Sequence, residues 1–127
     1  MIYKQTEVQI ADNSGGLVGV CINNPRKKKV AHIGDIIIVA IKKSASKNQQ
    51  IRKNIKISQG DVKKALVINT TKEVRRKNGS YVKFNENAVI LLTENNQPFG
   101  SRIYNALPYE LRKLGFVKLL SLAPFSI

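Results

Sequence analysis

The chain is poor in the residues from which active sites and disulfide frameworks are built. Of its 127 residues one is cysteine, one is histidine and none is tryptophan. A lone cysteine, Cys21, excludes an intrachain disulfide and suits a reducing compartment. With His32 as the only imidazole, a zinc site lacks its usual ligands, and no metal or other cofactor is expected. No serine, cysteine or aspartate has a recognisable activating neighbour, so no catalytic residue is assigned and an enzyme is not expected. Cys21 reads as a small buried hydrophobe, since it falls inside an expected strand. No apolar run approaches the ~18 residues of a membrane-spanning helix. Gly15-Gly16 lacks the following Lys-Ser/Thr and the strand-to-helix setting of a phosphate-cradling loop, and reads as a turn. The N-terminus, MIYKQTEVQIADNSG, shows neither an apolar signal core nor an Arg- and Ser-rich leader.

Acidic residues are scarce too, 8 Asp+Glu against 22 Lys+Arg, and the formal net charge is +14. Self-repulsion of that size is relieved most simply by a polyanion. A basic membrane-surface protein is the competing reading, but it calls for a long amphipathic helix, and the apolar runs here are short and strand-like. The cations are grouped: Arg26, Lys27, Lys28 and Lys29; Lys42, Lys43 and Lys47; Arg52, Lys53 and Lys56; Arg75, Arg76, Lys77 and Lys83. All fall in expected turns and hairpins, from which guanidinium forks and ammonium groups converge on phosphates. Nothing resembles a helix-turn-helix or a long recognition helix, and eight aromatics offer little base stacking. Binding to the backbone and shape of structured RNA is the better expectation, with His32 in a loop near RNA or solvent.

The length suits one hydrophobic core and a single domain. Thr6, Val8 and Ile10 alternate with polar residues as in a half-buried strand, and Ala11 to Gly16 reverse the chain. Leu17 to Ile22 form the next strand, which Asn23-Asn24-Pro25 ends. Gly34-Asp35 and Gly60-Asp61 each open an apolar run, Ile36 to Ile41 and Val62 to Ile68. Runs so continuous suggest strands buried on both faces in a small closed barrel. Between them lies a basic arm, about 42–59. Gln97 to Gly100 read as a turn. Pro108 to Gly115 carry a short helix's signals, with an acid early, cations late and glycine after; Phe116 to Leu120 fit a helix or a closing strand equally.

Within Gly60 to Leu92, Asn78-Gly79 is the dipeptide that favours a two-residue type I′ turn. That turn places Lys77 opposite Ser80, Arg76 opposite Tyr81, Arg75 opposite Val82 and Val74 opposite Lys83. Arg76, Tyr81 and Lys83 then share one face, with Arg75 and Lys77 on the other. Val62 to Ile68, Val82, Phe84 and Val89 to Leu92 are expected to build the barrel, and Arg75 to Lys77 to face RNA.

Several spaced elements together resemble one family, the universal large-subunit ribosomal protein L-fourteen, from end to end. They are Ala65-Leu66-Val67-Ile68, Asn78-Gly79, Phe84 and Asn87 with the run after it; Ala11 to Gly15; the two Gly-Asp turns; and Pro98, Gly100 to Ile103, Glu110-Leu111-Arg112 and Ser121 to Pro124. Ile90 stands where valine is usual, Lys43 to Gln59 is longer than usual, and Asn105 to Pro108 replaces a glycine-proline turn. The resemblance implies an all-β fold: a closed five-stranded barrel with a protruding basic hairpin over 1–97, and a C-terminal part over 98–127 with one or two short helices. It also implies a structural, non-enzymatic constituent of the large ribosomal subunit. Such a protein binds large-subunit rRNA, meets small-subunit rRNA at an intersubunit bridge, and packs against ribosomal proteins L-three and L-nineteen. Ser101, Arg102, Arg112 and Gly115 fall on the surface where the family also receives a ribosome-silencing factor. Lys, Ile and Asn make up 16, 15 and 12 residues, all favoured by A/T-rich codons. Such a bias hints at an A/T-rich bacterial or organellar genome; together with the absent leader it makes a mitochondrial ribosome the preferred location, with a bacterial or plastid one as the alternative. A free regulatory RNA-binding module is the rival function.

Overall fold

The computed structural model describes residues 1–27, 29–45 and 57–127. Lys28, Lys47, Arg52, Lys53, Lys56 and most of the expected arm lie outside the described residues. In chain order the elements are β1 (Glu7–Ile10), β2 (Gly16–Asn23), β3 (Ile36–Ser44), β4 (Val62–Asn69), β5 (Val74–Arg75), β6 (Tyr81–Val82), β7 (Ala88–Leu92), α1 (Glu110–Lys113) and α2 (Val117–Leu122). Five strands close a barrel in the order β1-β2-β3-β4-β7. Neighbours run antiparallel except β1 and β7, whose parallel pairing seals it. β5 and β6 form a separate two-stranded sheet.

Two cores explain the apolar pattern. Val8, Cys21, Ile37, Val39, Ile41, Ile57, Ala65, Val67, Val89 and Leu91 fill the barrel. Leu66, Ile68, Ala88, Ile90 and Leu92 point the other way, against Ile103, Leu107, Leu111 and Leu119 of the C-terminal segment. β4 from Ala65 onward and all of β7 are thus buried on both faces. β3 is not: it alternates half-buried Ile36, Ile38 and Ala40 with buried Ile37, Val39 and Ile41, because the C-terminal segment packs on the β4–β7 wall and on β3 reaches only Ile36. β3 also continues three residues past Ile41, so Lys42 and Lys43 sit on a barrel strand paired with β2.

The Gly-Asp turns have one design. In His32 to Asp35 the glycine takes φ +91°, and the Asp35 carboxylate accepts the His32 N–H at 2.9 Å. In Ser58 to Asp61 the glycine again takes φ +91°, and the Asp61 carboxylate accepts the Ser58 N–H at 3.0 Å. Glycine is needed because side chains disfavour that φ. Each turn is also fastened to the far end of the neighbouring strand. Gly34 N–H donates to the Val67 carbonyl and Val67 N–H to that of Asp35; Gly60 N–H donates to the Ile41 carbonyl and Ile41 N–H to that of Asp61.

The reversal after β1 is held by buried polar groups. One oxygen of the Asp12 carboxylate accepts from the Ser14 N–H and hydroxyl, and the other accepts from the Leu91 N–H at 3.2 Å. Burial pushes this carboxyl above its ordinary 3.8 despite those bonds. Asn13 holds the segment after β7: its Oδ1 accepts from the N–H groups of Ser101 and Arg102, and its Nδ2 donates to Ser101 Oγ. The expected turn at Gln97 to Gly100 lies a few residues earlier. Thr93 N–H donates to the Gln97 carbonyl, Asn96 takes φ +59°, and Pro98 bridges to Leu92. The Phe116 to Leu120 ambiguity resolves as helix α2, anchored by buried Leu119.

Candidate nucleic-acid interface

The hairpin that carries Arg75 to Lys77 pairs one residue away from the expected register. Val74 faces Val82 and Arg75 faces Tyr81. The loop is therefore three residues, Lys77-Asn78-Gly79. Gly79 N–H donates to the Arg76 carbonyl at 3.0 Å, Arg76 N–H to that of Ser80 at 2.8 Å, and only Gly79 takes positive φ. This is the turn-plus-glycine loop and not the two-residue type I′ turn. Two forces select it. Asn78 Oδ1 accepts from the Ser80 N–H and hydroxyl, closing the loop locally. The observed register also sets both valines on one face, where Val82 is buried, whereas the slipped one would pair Val74 with Lys83. Val82 and Phe84 accordingly belong to this small sheet and its exit, not to the barrel.

The slip regroups the cations. Arg75 now shares a face with Tyr81, which is 63% exposed, and Lys77 is exposed at the tip. Arg76 turns inward: its Nε donates to Glu110 Oε1 at 2.7 Å, and its Nη2 to Glu110 Oε2 and to the Ile127 carbonyl. Burial raises the Glu110 carboxyl, but the hydrogen bond from Arg76, together with the helix backbone and nearby positive charge, outweighs it and holds the group below its ordinary 4.5. The ion pair moors the hairpin to α1. Arg75, Arg76, Lys77, Asn78, Tyr109, Glu110 and Lys113 line the groove between them. A carboxyl lowered in the fold adds stability above its ordinary pKa, and that stability is lost as pH falls through the lowered value. Urea midpoints of the parent chain should therefore drop between pH 6 and pH 3.5 by more than those of Glu110→Gln. Equal drops would show that the pair contributes nothing. Asp12, raised in the fold, acts in the opposite direction and is common to both proteins.

A second group of cations gathers around the other end of β2. Arg26, Lys27 and Lys29 are exposed in the loop after it. Lys27 and Lys29 line a groove with Tyr3, Lys4, Asn23, Asn24 and Pro25. Lys4, Tyr3 and Lys113 were not signalled by charge runs. Tyr3 and Lys4 come here because the N-terminal segment continues along β2, with Gln5 N–H donating to the Cys21 carbonyl and Cys21 N–H to that of Thr6. Extending the β1–β2 ladder by two residues was the signal that could have found them. Lys42, Lys43 and Lys83 are exposed and stand apart from both grooves' linings.

Ser101 and Arg102 are exposed on the segment clamped by Asn13, and Gly100 allows that clamp: a Cβ there would lie 2.6 Å from Asn13 Oδ1. Arg112 and Gly115 are exposed on and just after α1, where Gly115 takes φ +93° and Arg112 lies 5.8 Å from the Tyr109 ring. Cys21 is buried, which pushes its thiol up, and His32 is an exposed turn residue. Among the described residues no three of His, Cys, Asp and Glu are grouped to hold a metal, and no helix is long and apolar enough to cross a membrane.

The sequence as a whole matches the model of a protein family described as Ribosomal protein L14p/L23e, over residues 1–127.

Proposed function

The chain belongs to the Ribosomal protein L14p/L23e family of structural large-subunit ribosomal proteins, and from that we propose that it is a non-enzymatic, single-domain protein that binds large-subunit rRNA at the intersubunit face. The exposed cations of the hairpin tip, set beside α1 on a scaffold matched throughout, carry this reading. Phosphate contacts fall to Arg75, Lys77 and Lys83 on the hairpin, to Arg26, Lys27 and Lys29 after β2, and to Lys42 and Lys43 on β3, with Lys28, Lys47, Arg52, Lys53 and Lys56 as further candidates. Arg76 contributes mainly by mooring the hairpin, given its bonds to Glu110. The Ser101, Arg102, Arg112 and Gly115 surface is assigned to the small-subunit rRNA bridge and to a ribosome-silencing factor, with ribosomal proteins L-three and L-nineteen as neighbours. The A/T-rich codons of Lys, Ile and Asn fit an A/T-rich bacterial or organellar genome, and a mitochondrial ribosome is the location proposed.

Sedimentation tests the proposal. At high magnesium the tagged chain is expected to travel with the large subunit and the joined ribosome. Stable residence in the small subunit, or in neither particle, would overturn it.

A further inference from the structure

Among the described residues one buried side-chain nitrogen has no hydrogen-bond partner, Nδ2 of Asn24. Asn24 is 8% exposed and lines the groove made with Tyr3, Lys4, Pro25, Lys27 and Lys29. Its amide cannot simply be turned over, because Oδ1 already accepts the Arg26 N–H at 3.1 Å. A rotated amide would set NH2 against that N–H. The free end is therefore fixed as a donor, and a buried donor favours whatever brings it an acceptor. Among the described residues no acidic side chain lines the groove, and the ammonium groups of Lys4, Lys27 and Lys29 do. Tyr3, 48% exposed, adds an aromatic ring on the same lining.

Resting on the rRNA-binding reading above, we propose that this groove holds a single unpaired RNA nucleotide. Its base lies on the Tyr3 ring, one acceptor oxygen takes the Asn24 Nδ2 hydrogen, and the flanking phosphates meet Lys4, Lys27 and Lys29. The chemistry differs from that of the hairpin tip. The hairpin groove also has an aromatic ring, Tyr109, but it carries the Glu110 carboxylate, whereas here the ring stands beside an unpartnered donor and lysines, which suits a splayed nucleotide.

The probe is an oligouridylate pentamer titrated into the full chain, with the Asn24 side-chain amide and the Tyr3 ring followed by NMR. Both sets of signals should shift. Tyr3→Leu should weaken pentamer binding about tenfold through lost stacking, while Tyr3→Phe stays within about twofold. Asn24→Asp keeps the oxygen used by Arg26 N–H, so the turn survives, yet it replaces the donor by a repelling acceptor; a loss of about tenfold is expected. If the pentamer leaves the Asn24 amide unmoved, or if inorganic tripolyphosphate moves it as far as the pentamer does, there is no nucleotide site. A chain that sediments with the large subunit while its Asn24 amide ignores the pentamer sinks this groove alone. Absence from the large subunit sinks the wider reading.

Discussion

Changing Arg75 and Lys77 together to alanine should flatten the salt dependence of rRNA binding by about two units of slope, one for each lost phosphate contact. Between 50 and 200 mM salt the variant should then lose on the order of tenfold less affinity than the parent, having begun weaker. Folding should be nearly untouched, because both side chains stand in solvent, Arg75 on β5 and Lys77 in the loop that Asn78 and Gly79 close. Arg76→Ala should do the reverse. It removes the partner of a partly buried carboxylate and frees the hairpin from α1, at a cost of about 1.5–3 kcal/mol for hydrogen bonds to a charged group. Its slope should stay close to the parent's. Filter binding across a salt series, beside urea unfolding, separates the two. If Arg76→Ala alone removes as much slope as the double change, the guanidinium leaves Glu110 for RNA and the mooring role is wrong.

Leu107→Ala should be the most damaging single substitution outside the barrel, with a loss of about 3 kcal/mol and about 10 °C in Tm. Leu107 is fully buried in the second core. Its backbone also joins the C-terminal end, with Leu107 N–H donating to the Phe125 carbonyl and Ile127 N–H to that of Leu107. A cavity there weakens the attachment of the whole segment to the β4–β7 wall. The surface bearing Arg102, Arg112 and Gly115 should then become sensitive to protease before the barrel unfolds. Val117→Ala, at a position 57% exposed, serves as the control and should change stability by less than about 0.5 kcal/mol. Equal effects from the two would mean that the second core holds nothing together.

The features legible in the sequence were those fixed by short-range chemistry. Val8 and Ile10 against Glu7 gave β1, and Gly34 and Gly60 marked turns because only glycine sits easily at φ +91°. Pro108, Glu110 and Gly115 bracketed α1 for similarly local reasons. What was missed depends on distant partners. Whether Ile36 and Ile38 are buried is decided by where the C-terminal segment lands, more than sixty residues later. The hairpin register turned on Val82 finding an inward face and on an Asn78 side-chain bond that competes with a two-residue turn. Charge runs pointed to Arg75, Lys77 and the loop after β2, but Arg76 looked identical to its neighbours until Glu110 lay beside it. Tyr3, Lys4 and Lys113 carried no clustering signal and reach the grooves only through the fold.

The reciprocal fastening of the two Gly-Asp turns has an evolutionary consequence. Strand β3 is bolted at Ile41 to Gly60 and Asp61, and Ala45 N–H is held by the Gly15 carbonyl, so both sides of the 46–56 stretch are anchored in the barrel wall. Backbone groups make these bonds, so the fastening itself asks nothing of the side chains at 41 and 45 as the sequence changes by descent, whereas position 60 is held to glycine by its φ of +91°.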